Sequence, residues 1–531
     1  MNWEFLNRSI LQGVKAVPQP QGIDVWIYLS VVWALGYFLY LGIYRLILSD
    51  LSRIPGDRLA ALTYWYETYY EVYRGGQYFH VIDEMHRRYG PVVRVNPNEV
   101  HFEDPDFNDV LYPGLGKRRD KPEYAALRAG TPGSIVATAE HDVHRRRRNA
   151  LSSFFSGASV RRLEPIIHEH VGRLLSRMQD CGIHHEVVEL HHMFKACASD
   201  IITLYAFGDS FHFLEKKDFG QPYFEAGDTF NGLTHVFGAF PWLARLAIAT
   251  PGWLVKILNP SVSDFVDSQE WWLNKVREIR QSGDPERAKS TIFGGILNSS
   301  LPEEDKTDAR LASEAQLVVL AGEGTTAHAL TSAVYHLLAN PIELQKLKDE
   351  LATVVTHQRQ VPTFTQLDKL PYLSAVINEV IRLHPGAMHR QVRVSPDDPI
   401  VYTDKRRGVE YVVPPGTVYA ISPLTSHMNA DIFEDPFQFK PQRWIDHPEI
   451  SRAFMGFGRG NRGCVGMTLA RREVGAILAS VFLKYDLYRG QDGLTLELYD
   501  TVRTRDIDAN ADYIVPRPAK GSRGLRVRIR N

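Results

Sequence analysis

The sequence predicts a mainly helical protein with small β-sheets, preceded by one transmembrane helix. Three observations support this fold class: an uncharged apolar run near the amino terminus, apolar side chains at helical spacing through most of the chain, and a few short β-type segments. The 531 residues, 44% of them hydrophobic, are enough to bury a large core. Because no internal repeat or low-complexity tract divides the chain, we expect one large domain after the apolar run.

The apolar run covers residues 25–44, which is long enough to cross a bilayer as a helix. A buried core helix is the alternative interpretation. Three arginines follow the run and one lysine lies close before it, so the positive-inside rule places the larger part of the chain in the cytosol. Pro55 and Gly56 then break the helix. The predicted organisation is an amino-terminal segment at 1–24, a transmembrane anchor at 25–44, a hinge at 45–58 and one large domain at 59–531.

Charge and cysteine content narrow the possible functions. The formal net charge is -1, so the chain lacks the positive field that attracts nucleic acids, and we expect no nucleic-acid partner. Cys181, Cys197 and Cys464 form an odd and sparse set. This set is typical of a reducing compartment and offers no disulfide framework.

The remaining chain divides into a few short strands and many helices. Residues 91–95 and 99–102 are predicted as a strand pair, and 414–418 as a turn leading into another strand. Residues 308–339 are predicted as one helix about 48 Å long. Two glycines at 322 and 324 weaken the middle of this helix, where we expect an interruption or a kink.

Cys464 lies in a glycine-rich loop directly before a predicted helix. The positive end of the helix favours thiolate over thiol, and a thiolate can bind iron. The glycines at 458, 460, 463 and 466 allow the backbone to pass close under a flat ring and to direct N–H groups at the sulfur. Arg462 would supply a cation for a carboxylate of the same ring.

The order of residues in this loop matches a known signature. The loop resembles the haem-binding signature of the cytochrome P450 superfamily, Phe-x-x-Gly-x-Arg-x-Cys-x-Gly. It matches the signature at five positions: Phe457, Gly460, Arg462, Cys464 and Gly466. The resemblance extends over roughly residues 50 to 530. It implies the cytochrome P450 fold and a haem b cofactor with Cys464 as the iron ligand. Phe457, Arg462 and Gly466 would be further cofactor-binding residues.

A rival interpretation uses the same loop. Gly458, Gly460 and Gly463 also fit the dinucleotide-binding fingerprint, with Asp486 about twenty residues further on. Residues 451–455 before the loop are not a run of β-branched residues, however, as that fingerprint requires. The context therefore disfavours a dinucleotide site.

Glu379 and Arg382 are three residues apart on a predicted helix, so their side chains are neighbours. Such a pair is usually a solvated surface feature. Here Arg443 follows in a segment before the cysteine loop. This order of residues resembles the buried Glu-Arg-Arg network of the superfamily. The resemblance implies that Glu379, Arg382 and Arg443 have a structural role in holding the cysteine loop.

Thr325 follows the glycines of the long helix and can hydrogen-bond a helix carbonyl or a water. The resemblance places this helix over the haem and implies that Thr325 helps to deliver protons to bound oxygen. The acid that usually precedes the threonine is replaced by Gly324, and Glu323 stands one position earlier. One position rotates a side chain by about 100°, so Glu323 would assist only if the helix is locally unwound.

Further basic residues are expected around the cofactor. Residues 144–148 form a basic run on a predicted helix, for which a solvated patch is the usual interpretation. The resemblance instead places Arg148 and His144 at the haem, together with Arg393. The remaining arginines of this kind are expected to dock an acidic electron donor: Arg145, Arg146, Arg147, Arg471 and Arg472.

Four histidines between residues 184 and 192 suggest a metalloprotease site. The His-Glu-x-x-His pattern requires a second histidine at position 189, which is Glu189. Because residues 187–190 alternate as in a strand, surface histidines are the favoured interpretation. The four residues are His184, His185, His191 and His192.

The resemblance implies a membrane-anchored haem-thiolate monooxygenase that inserts one oxygen atom of O2 into an apolar organic substrate. Electrons would come from NADPH through a cytochrome P450 reductase, with cytochrome b5 as a further donor, at the endoplasmic reticulum with the catalytic domain in the cytosol. The chain is similar to fungal enzymes of secondary metabolism of the trichodiene oxygenase type. We therefore expect a terpenoid or polyketide substrate.

Three alternatives stay open at this point. The first is a hydroxylase of the same fold that acts on a small aromatic acid. The second is a haem enzyme that rearranges its substrate without a reductase. The third is a membrane-tethered metal hydrolase that uses the cluster from His184 to His192. The family resemblance places the substrate pocket near residues 117–135, 205–245, 322–326, 386–388 and 503–509.

Overall fold

Helices make up most of the chain that the computed structural model describes, namely residues 22–114, 116–183, 186–282, 290–354 and 361–531. The α-helices are α1 (Gly22–Ile43), α2 (Arg58–Leu62), α3 (Trp65–Thr68), α4 (Tyr78–Tyr89), α5 (Asn108–Leu111), α6 (Glu123–Leu127), α7 (His141–Ser152), α8 (Gly157–Arg162), α9 (Glu164–Ile183), α10 (Leu190–Phe207), α11 (Gln221–Asn231), α12 (Thr234–Ala239), α13 (Pro241–Ala249), α14 (Gly252–Leu258), α15 (Ser263–Ser282), α16 (Ile292–Leu297), α17 (Asp308–Ala339), α18 (Pro341–Val354), α19 (Phe364–Leu367), α20 (Pro371–Leu383), α21 (Pro423–His427), α22 (Arg443–Asp446) and α23 (Met467–Lys484). π-Type turns occur at Tyr44–Leu48, Tyr69–Tyr73 and Arg503–Ile507, and 3-10 turns at Asp50–Arg53, Pro105–Phe107, Ser153–Phe155, Phe213–Glu215, Pro260–Val262, Glu303–Lys306, Pro448–Ala453 and Gly460–Arg462.

The strands form small sheets, which confirms the predicted fold class. One sheet has the order β1-β2-β7-β4, and a second has the order β3-β12-β9-β8. Two antiparallel hairpins, β5-β6 and β10-β11, stand beside them. The strands are β1 (Val92–Asn96), β2 (Glu99–Phe102), β3 (Val187–Glu189), β4 (Arg393–Val394), β5 (Ile400–Asp404), β6 (Val409–Val413), β7 (Val418–Ala420), β8 (Asp486–Leu487), β9 (Thr495–Leu498), β10 (Ala511–Tyr513), β11 (Val515–Arg517) and β12 (Arg526–Arg530).

The strand pair predicted near residue 95 is confirmed. β1 and β2 are antiparallel, with Val92 opposite Phe102, and all side chains of both strands are buried. β2 also pairs with β7 in parallel, which continues the turn predicted at 414–418. Both faces of this sheet are therefore covered by the rest of the domain.

Helix α17 lies at the centre of the main hydrophobic core. It has the predicted bounds, begins where the Thr307 side chain accepts a hydrogen bond from the Arg310 N–H, and ends before Pro341. The helix is continuous through Gly322 and Gly324, so the predicted interruption is not seen. Helix α10 packs along α17, and its packing explains the continuity because it supports the glycine segment from one side.

The amino-terminal helix α1 continues into the π-type turn that follows it. Together they give a candidate membrane span of 24 residues, Val25–Leu48, with mean hydropathy 1.7 and no part of the apolar stretch buried in the protein. The span is a few residues longer than the anchor predicted at 25–44. Helix length and composition agree with a membrane anchor.

The segment predicted as a hinge packs against the domain. Leu51 and Ile54 are buried, and the Arg94 N–H donates to the Pro55 carbonyl at 2.7 Å. A side chain at Gly56 would collide with the Arg94 carbonyl, which explains the glycine. Residues 50–56 are therefore an ordered edge of the β1 region.

Candidate haem site

The cysteine loop is closed by its own backbone. The Cys464 N–H donates to the Phe457 carbonyl at 2.7 Å, which brings the two ends of the loop together. Gly458 and Gly460 have φ values of 65° and 66°, in the left-handed region that favours glycine. A Cβ at Gly460 would also lie 2.5 Å from the Tyr112 carbonyl oxygen, so this position tolerates no other residue.

The Cys464 side chain faces an interior cavity of about 210 Å³ between α17 and the cysteine loop. The Cys464 side chain is accessible from this cavity, but its removal from bulk water raises the pKa of the thiol, while the N–H groups of Gly466 and Met467 and the Arg148 cation oppose the rise. The N–H groups expected from the sequence are thus present, but burial is the larger effect on the free side chain. A bound metal cation reverses this balance, because a coordinating thiol loses its proton.

Basic side chains surround one end of this cavity. Arg148 donates to the Gly463 carbonyl at 2.6 Å, and Arg462 donates to the carbonyls of Thr138 and Ala139 at 2.7 and 2.6 Å. His144 and Arg393, also predicted at the cofactor, line the same cavity. All of the predicted basic cofactor residues therefore come together, although they lie in distant parts of the chain.

These cations repel one another. Burial, followed by Arg393 and Arg148, lowers the pKa of Arg462 to about 9. Burial and Arg462 lower the pKa of His144 to about 2. Among the described residues, the buried Nε of Arg462 has no hydrogen-bond partner. An excess of positive charge beside an apolar cavity fits a flat apolar group that carries carboxylates, as haem b does.

Apolar side chains form the remaining walls of the cavity. Most come from α17, the start of α23, α7 and α10, and they include Val318, Leu469, Leu151 and Ile202. Thr325 lines the same cavity, and its hydroxyl donates to the Ala321 carbonyl at 2.8 Å. The protein thus places a sulfur and a helical hydroxyl group on one cavity, with apolar walls between them.

Glu323 faces away from that cavity. Its carboxylate accepts a hydrogen bond from the Ser199 hydroxyl at 2.8 Å and lies 3.5 Å from the Tyr223 hydroxyl. Burial raises the pKa of Glu323 to about 7, against the opposing effect of Lys195. Glu323 lines a second, larger cavity of about 690 Å³. The local unwinding that would turn it towards Thr325 does not occur.

Glu379, Arg382 and Arg443 form a buried network next to the loop. Arg382 donates to both carboxylate oxygens of Glu379 at 2.8 and 2.9 Å, and Arg443 Nε lies 3.3 Å from Glu379 Oε1. The Trp444 indole N–H also donates to Glu379 at 2.9 Å. Neither Glu379 nor Arg382 is exposed to solvent. Both arginines predicted to act with Glu379 therefore contact its carboxylate.

The model of the cytochrome P450 family matches residues 62–497. The chain belongs to the cytochrome P450 family. This family implies a haem iron cofactor, and the cavity at Cys464 has the sulfur, cations and apolar walls that such a group needs.

Several relatives match nearly the whole chain. The cytochrome P450 monooxygenase tpcC of Cochliobolus heterostrophus is 37% identical over 94% of this chain and 96% of its own. The N-acetyltryptophan 6-hydroxylase ivoC of Emericella nidulans is 35% identical over 94% and 96%. The fusicoccadiene C-8 hydroxylase of Phomopsis amygdali is 32% identical over 98% and 99%. This cytochrome P450 is therefore an oxidoreductase of the monooxygenase class.

Three residues of the P450 site were not identified from the sequence. Lys121 lines the cation end of the cavity, where burial and then Arg393 hold its pKa well below the usual value. Glu473 of α23 lines the cavity too, and burial raises its pKa to about 8. His427 accepts a hydrogen bond from the Met455 N–H at 2.8 Å and contacts the Arg382 carbonyl. Of these three residues, only Glu473 could have been identified from the sequence, because it is a lone acid beside an apolar helix face.

The basic residues expected to dock an electron donor are mostly paired within the P450. Arg146 and Arg147 both contact Asp305, and Arg472 contacts Asp368 at 2.6 Å. Arg471 is partly buried and donates to Asn378. Arg145 is the most exposed of the group, beside Asp142 at 3.3 Å.

The histidine cluster divides into two parts. His184 and His185 lie outside the described residues. His192 lies 2.9 Å from Glu189, and His191 contacts the Thr331 hydroxyl at 2.9 Å. The part of the cluster that the structure describes is thus engaged in capping α10 and contacting α17. Within the described ranges, these residues are not among the groups with metal-ligand spacing.

Proposed function

We propose that this P450 binds haem b through Cys464 and inserts one oxygen atom of O2 into an apolar intermediate of fungal secondary metabolism. The observation that carries the proposal is the single cavity that holds the Cys464 sulfur, the basic side chains and Thr325. When bound, the haem supplies oxygen activation, which a thiolate ligand promotes. The chain supplies burial, orientation and proton control.

The residues of the site divide these tasks among them. Cys464 is the proposed iron ligand, with Phe457 and Gly466 shaping its loop. Arg148, Arg393, Arg462 and His144 are the proposed partners of the haem carboxylates, and we add Lys121 to this group because it lines the same end of the cavity. The proposed role of the buried network of Glu379, Arg382 and Arg443 is to support the cysteine loop.

Thr325 is the proposed proton-handling group. Its hydroxyl faces the Cys464 cavity and is held by the Ala321 carbonyl, so it can accept a hydrogen bond and pass a proton from water. Glu323 would supply protons only from the larger cavity, on the far side of α17. Because α17 is not unwound at this point, the condition for an assisting role of Glu323 is not met, and we assign proton delivery to Thr325 and water alone.

We propose that substrate occupies the larger cavity and reaches towards Thr325. Its lining comes from four of the five ranges expected to form the substrate pocket, through residues such as Phe224, Gly386 and Ile507. A side chain at Gly386 would meet Thr325, so the two cavities border the same turn of α17. A terpenoid or polyketide remains the first candidate, and the fusicoccadiene hydroxylase is a relative whose name fits it.

A small aromatic acid is the second candidate. The larger cavity is lined by Lys195, which is buried and whose ammonium group lies 3.6 Å from Asp228. It is also lined by the half-buried His328, whose buried Nε2 has no hydrogen-bond partner among the described residues. These groups suit a carboxylate or amide. Two relatives are named as hydroxylases of tryptophan or N-acetyltryptophan.

Electrons are proposed to come from NADPH through a membrane-bound cytochrome P450 reductase, with cytochrome b5 as a further donor. The candidate membrane span at Val25–Leu48 supports anchoring at the endoplasmic reticulum with the domain at 59–531 in the cytosol. Among the arginines expected to dock the donor, Arg145 is the most exposed and is the proposed contact.

The proposal is tested with the full chain in lipid vesicles with reductase, NADPH and isotopically labelled O2. One labelled oxygen atom should appear in each product molecule, for a terpene hydrocarbon or for an N-acyl tryptophan. Turnover without NADPH would favour the rearranging haem enzyme instead. Turnover by Cys464→Ala that is lost to chelators would favour the metal hydrolase.

Lys195→Met separates the two substrate classes. We expect it to weaken binding of an aromatic acid about tenfold or more, because a charge-assisted hydrogen bond contributes roughly 1.5–3 kcal/mol. Binding of a hydrocarbon should change little. The spin-state change of the haem on titration with each compound gives both affinities.

A further inference from the structure

Four titratable side chains from separate parts of the chain meet in a group that we call the buried cluster. Glu71 comes from the π-type turn after α3, His235 from α12, His389 from the loop after α20, and Asp512 from β10. His389 Nδ1 lies 2.6 Å from Asp512 Oδ2. His235 Nε2 contacts the Asp512 carbonyl and lies 3.4 Å from Glu71 Oε2. Each of the four residues is 9% exposed or less.

The buried cluster carries more negative than positive charge. Arg390 lies 3.2 Å from Glu71 and also contacts two other carboxylates, while Arg128 contacts His389. Four carboxyl groups therefore face two guanidinium groups, so negative charge is left over unless protons bind. The groups that surround Glu71 are Arg128, Arg390, Glu67, Glu99, Asp512, His235 and His389.

A proton suits this group better than a metal ion does. One ligand atom each from Glu71, His389 and Asp512 lies within 4.8 Å of the others, which a cation could bridge. Arg390 and Arg128, however, already occupy a Glu71 oxygen and the outer nitrogen of His389. A divalent cation would face two fixed positive charges at close range. Glu71 Oε2, which accepts no hydrogen bond from the described residues, is free to carry a proton.

The buried cluster joins segments that border the larger cavity. Helix α11, directly before α12, and strand β11, directly after β10, both line that cavity. Backbone hydrogen bonds reinforce the junction, because the Met388 N–H donates to the Ile514 carbonyl and the Asp512 N–H to the Gly76 carbonyl, both at 2.9 Å. His235 is the side chain that connects α12 to this junction, so loss of the side-chain contacts would loosen α12 against the hairpin.

We propose that the buried cluster is a proton-holding latch that positions α12 and the β10–β11 hairpin, and that it thereby sets substrate access to the larger cavity. His235 and Asp512 are positioning residues in this proposal. It rests on the proposed function, in which substrate occupies the larger cavity.

The latch weakens as the pH rises above neutral. Burial and the neighbouring Asp512 raise the pKa of Glu71 to about 7, above its ordinary value of 4.5. The stabilisation from protonated Glu71 is therefore full below about pH 4.5 and lost as the pH rises through 7. Burial and Arg128 lower the pKa of His235 to about 4. The stabilisation from neutral His235 is therefore full above about pH 6.5 and is lost as the pH falls through 4.

Hydrogen exchange of the intact holoenzyme tests the latch directly. After correction for the intrinsic exchange rate, amides at 234–239 and 511–517 should lose protection by roughly fourfold between about pH 6.5 and 8.5. Glu71→Gln should abolish this loss, because the amide stays neutral. Glu103→Gln is the matched control, since burial raises the pKa of Glu103 to about 7 outside the latch, and it should keep the loss.

A second measurement keeps substrate access separate from folding. The rate at which a bulky aryl-imidazole binds to the ferric haem should rise between about pH 6.5 and 8.5 in the native enzyme and in Glu103→Gln, but not in Glu71→Gln. Asp512→Asn should raise this rate and the KM several-fold at neutral pH with little effect on kcat. Constant protection in the native enzyme, or a loss that persists in Glu71→Gln, would overturn the latch. Absence of monooxygenase turnover with an intact exchange pattern would instead refute only the proposed function.

Discussion

Arg148, Arg393 and Arg462 meet at one end of the Cys464 cavity although more than three hundred positions separate the first from the last. The family signature identified Arg462. The family resemblance of the basic run at 144–148 identified Arg148 and His144. No pattern in the sequence identified Lys121, because a lone lysine in an irregular segment looks like any surface lysine. Its role becomes visible only when burial and neighbouring cations are known.

Replacing Arg148 should weaken haem retention. Arg148→Gln removes one cation from the proposed carboxylate site, and loss of one charge-assisted hydrogen bond corresponds to roughly 1.5–3 kcal/mol. We expect haem to transfer to an acceptor globin about tenfold faster or more. Arg145→Gln, three residues earlier on α7 but exposed, should match the native rate. Equal acceleration in both variants would contradict a specific role for Arg148.

Thr325→Ala should uncouple electron consumption from product formation. Without the hydroxyl, NADPH is still oxidised, but peroxide is released in place of product. The ratio of product to NADPH is the measurement. Thr203→Ala is the control, because Thr203 makes the same kind of hydrogen bond to the carbonyl four residues earlier, in the buried interior of α10. Unchanged coupling in Thr325→Ala would exclude the role.

Helix α17 shows how far element-scale reasoning reaches. Its bounds agree with the predicted range, and the structure shows a capping threonine before the first turn and a proline after the last, both local features. The continuity of the helix was not predicted. Two glycines weaken an isolated helix, but packing against α10 supports α17 in the protein. Side chains two positions apart on a helix point in directions that differ by about 200°. A continuous α17 therefore directs Glu323 and Thr325 to different cavities.

The network behind the cysteine loop was predicted from the order of Glu379, Arg382 and Arg443, whereas its connection to the loop was not. His427 provides that connection by contacting Arg382 on one side and Met455 on the other. A histidine in a short helix carries no pattern that would predict such a bridge.

Removing the central carboxylate should destabilise this part of the fold. Glu379→Gln leaves two buried arginines without their charged partner, which costs about 3 kcal/mol or more. We expect a clear drop in the thermal unfolding midpoint and faster loss of haem. Glu84→Gln removes an exposed carboxylate that pairs with Arg87 at the same helical spacing, and should cost less than about 1 kcal/mol. Similar effects of the two changes would contradict the structural role of Glu379.

At the scale of the whole molecule, fold class, membrane span and the position of the cofactor loop were all accessible from periodicity, run length and one motif. The packing of residues 50–56 was not, because Pro55 and Gly56 signal a break in a helix without saying where the chain goes next. Likewise, the buried cluster joins positions 71 and 512, and such distant pairs leave no local trace.

The order of residues 50–56 gives a prediction for truncated chains. A chain lacking residues 1–44 should keep the stability of the domain and lose membrane association. A chain lacking residues 1–57 also loses Leu51 and Ile54, whose burial contributes roughly 1.5–3 kcal/mol each, and should unfold at a lower temperature. Equal unfolding midpoints would show that this segment is a free linker.

The central claim is that Cys464 holds a haem iron, and absorption spectroscopy of the reduced, carbon monoxide-bound protein tests it most directly. The account predicts the strongly red-shifted Soret band that a thiolate opposite carbon monoxide produces, and its loss in Cys464→His. A purified protein without haem, or a haem spectrum that is unchanged in Cys464→Ser, would contradict the account.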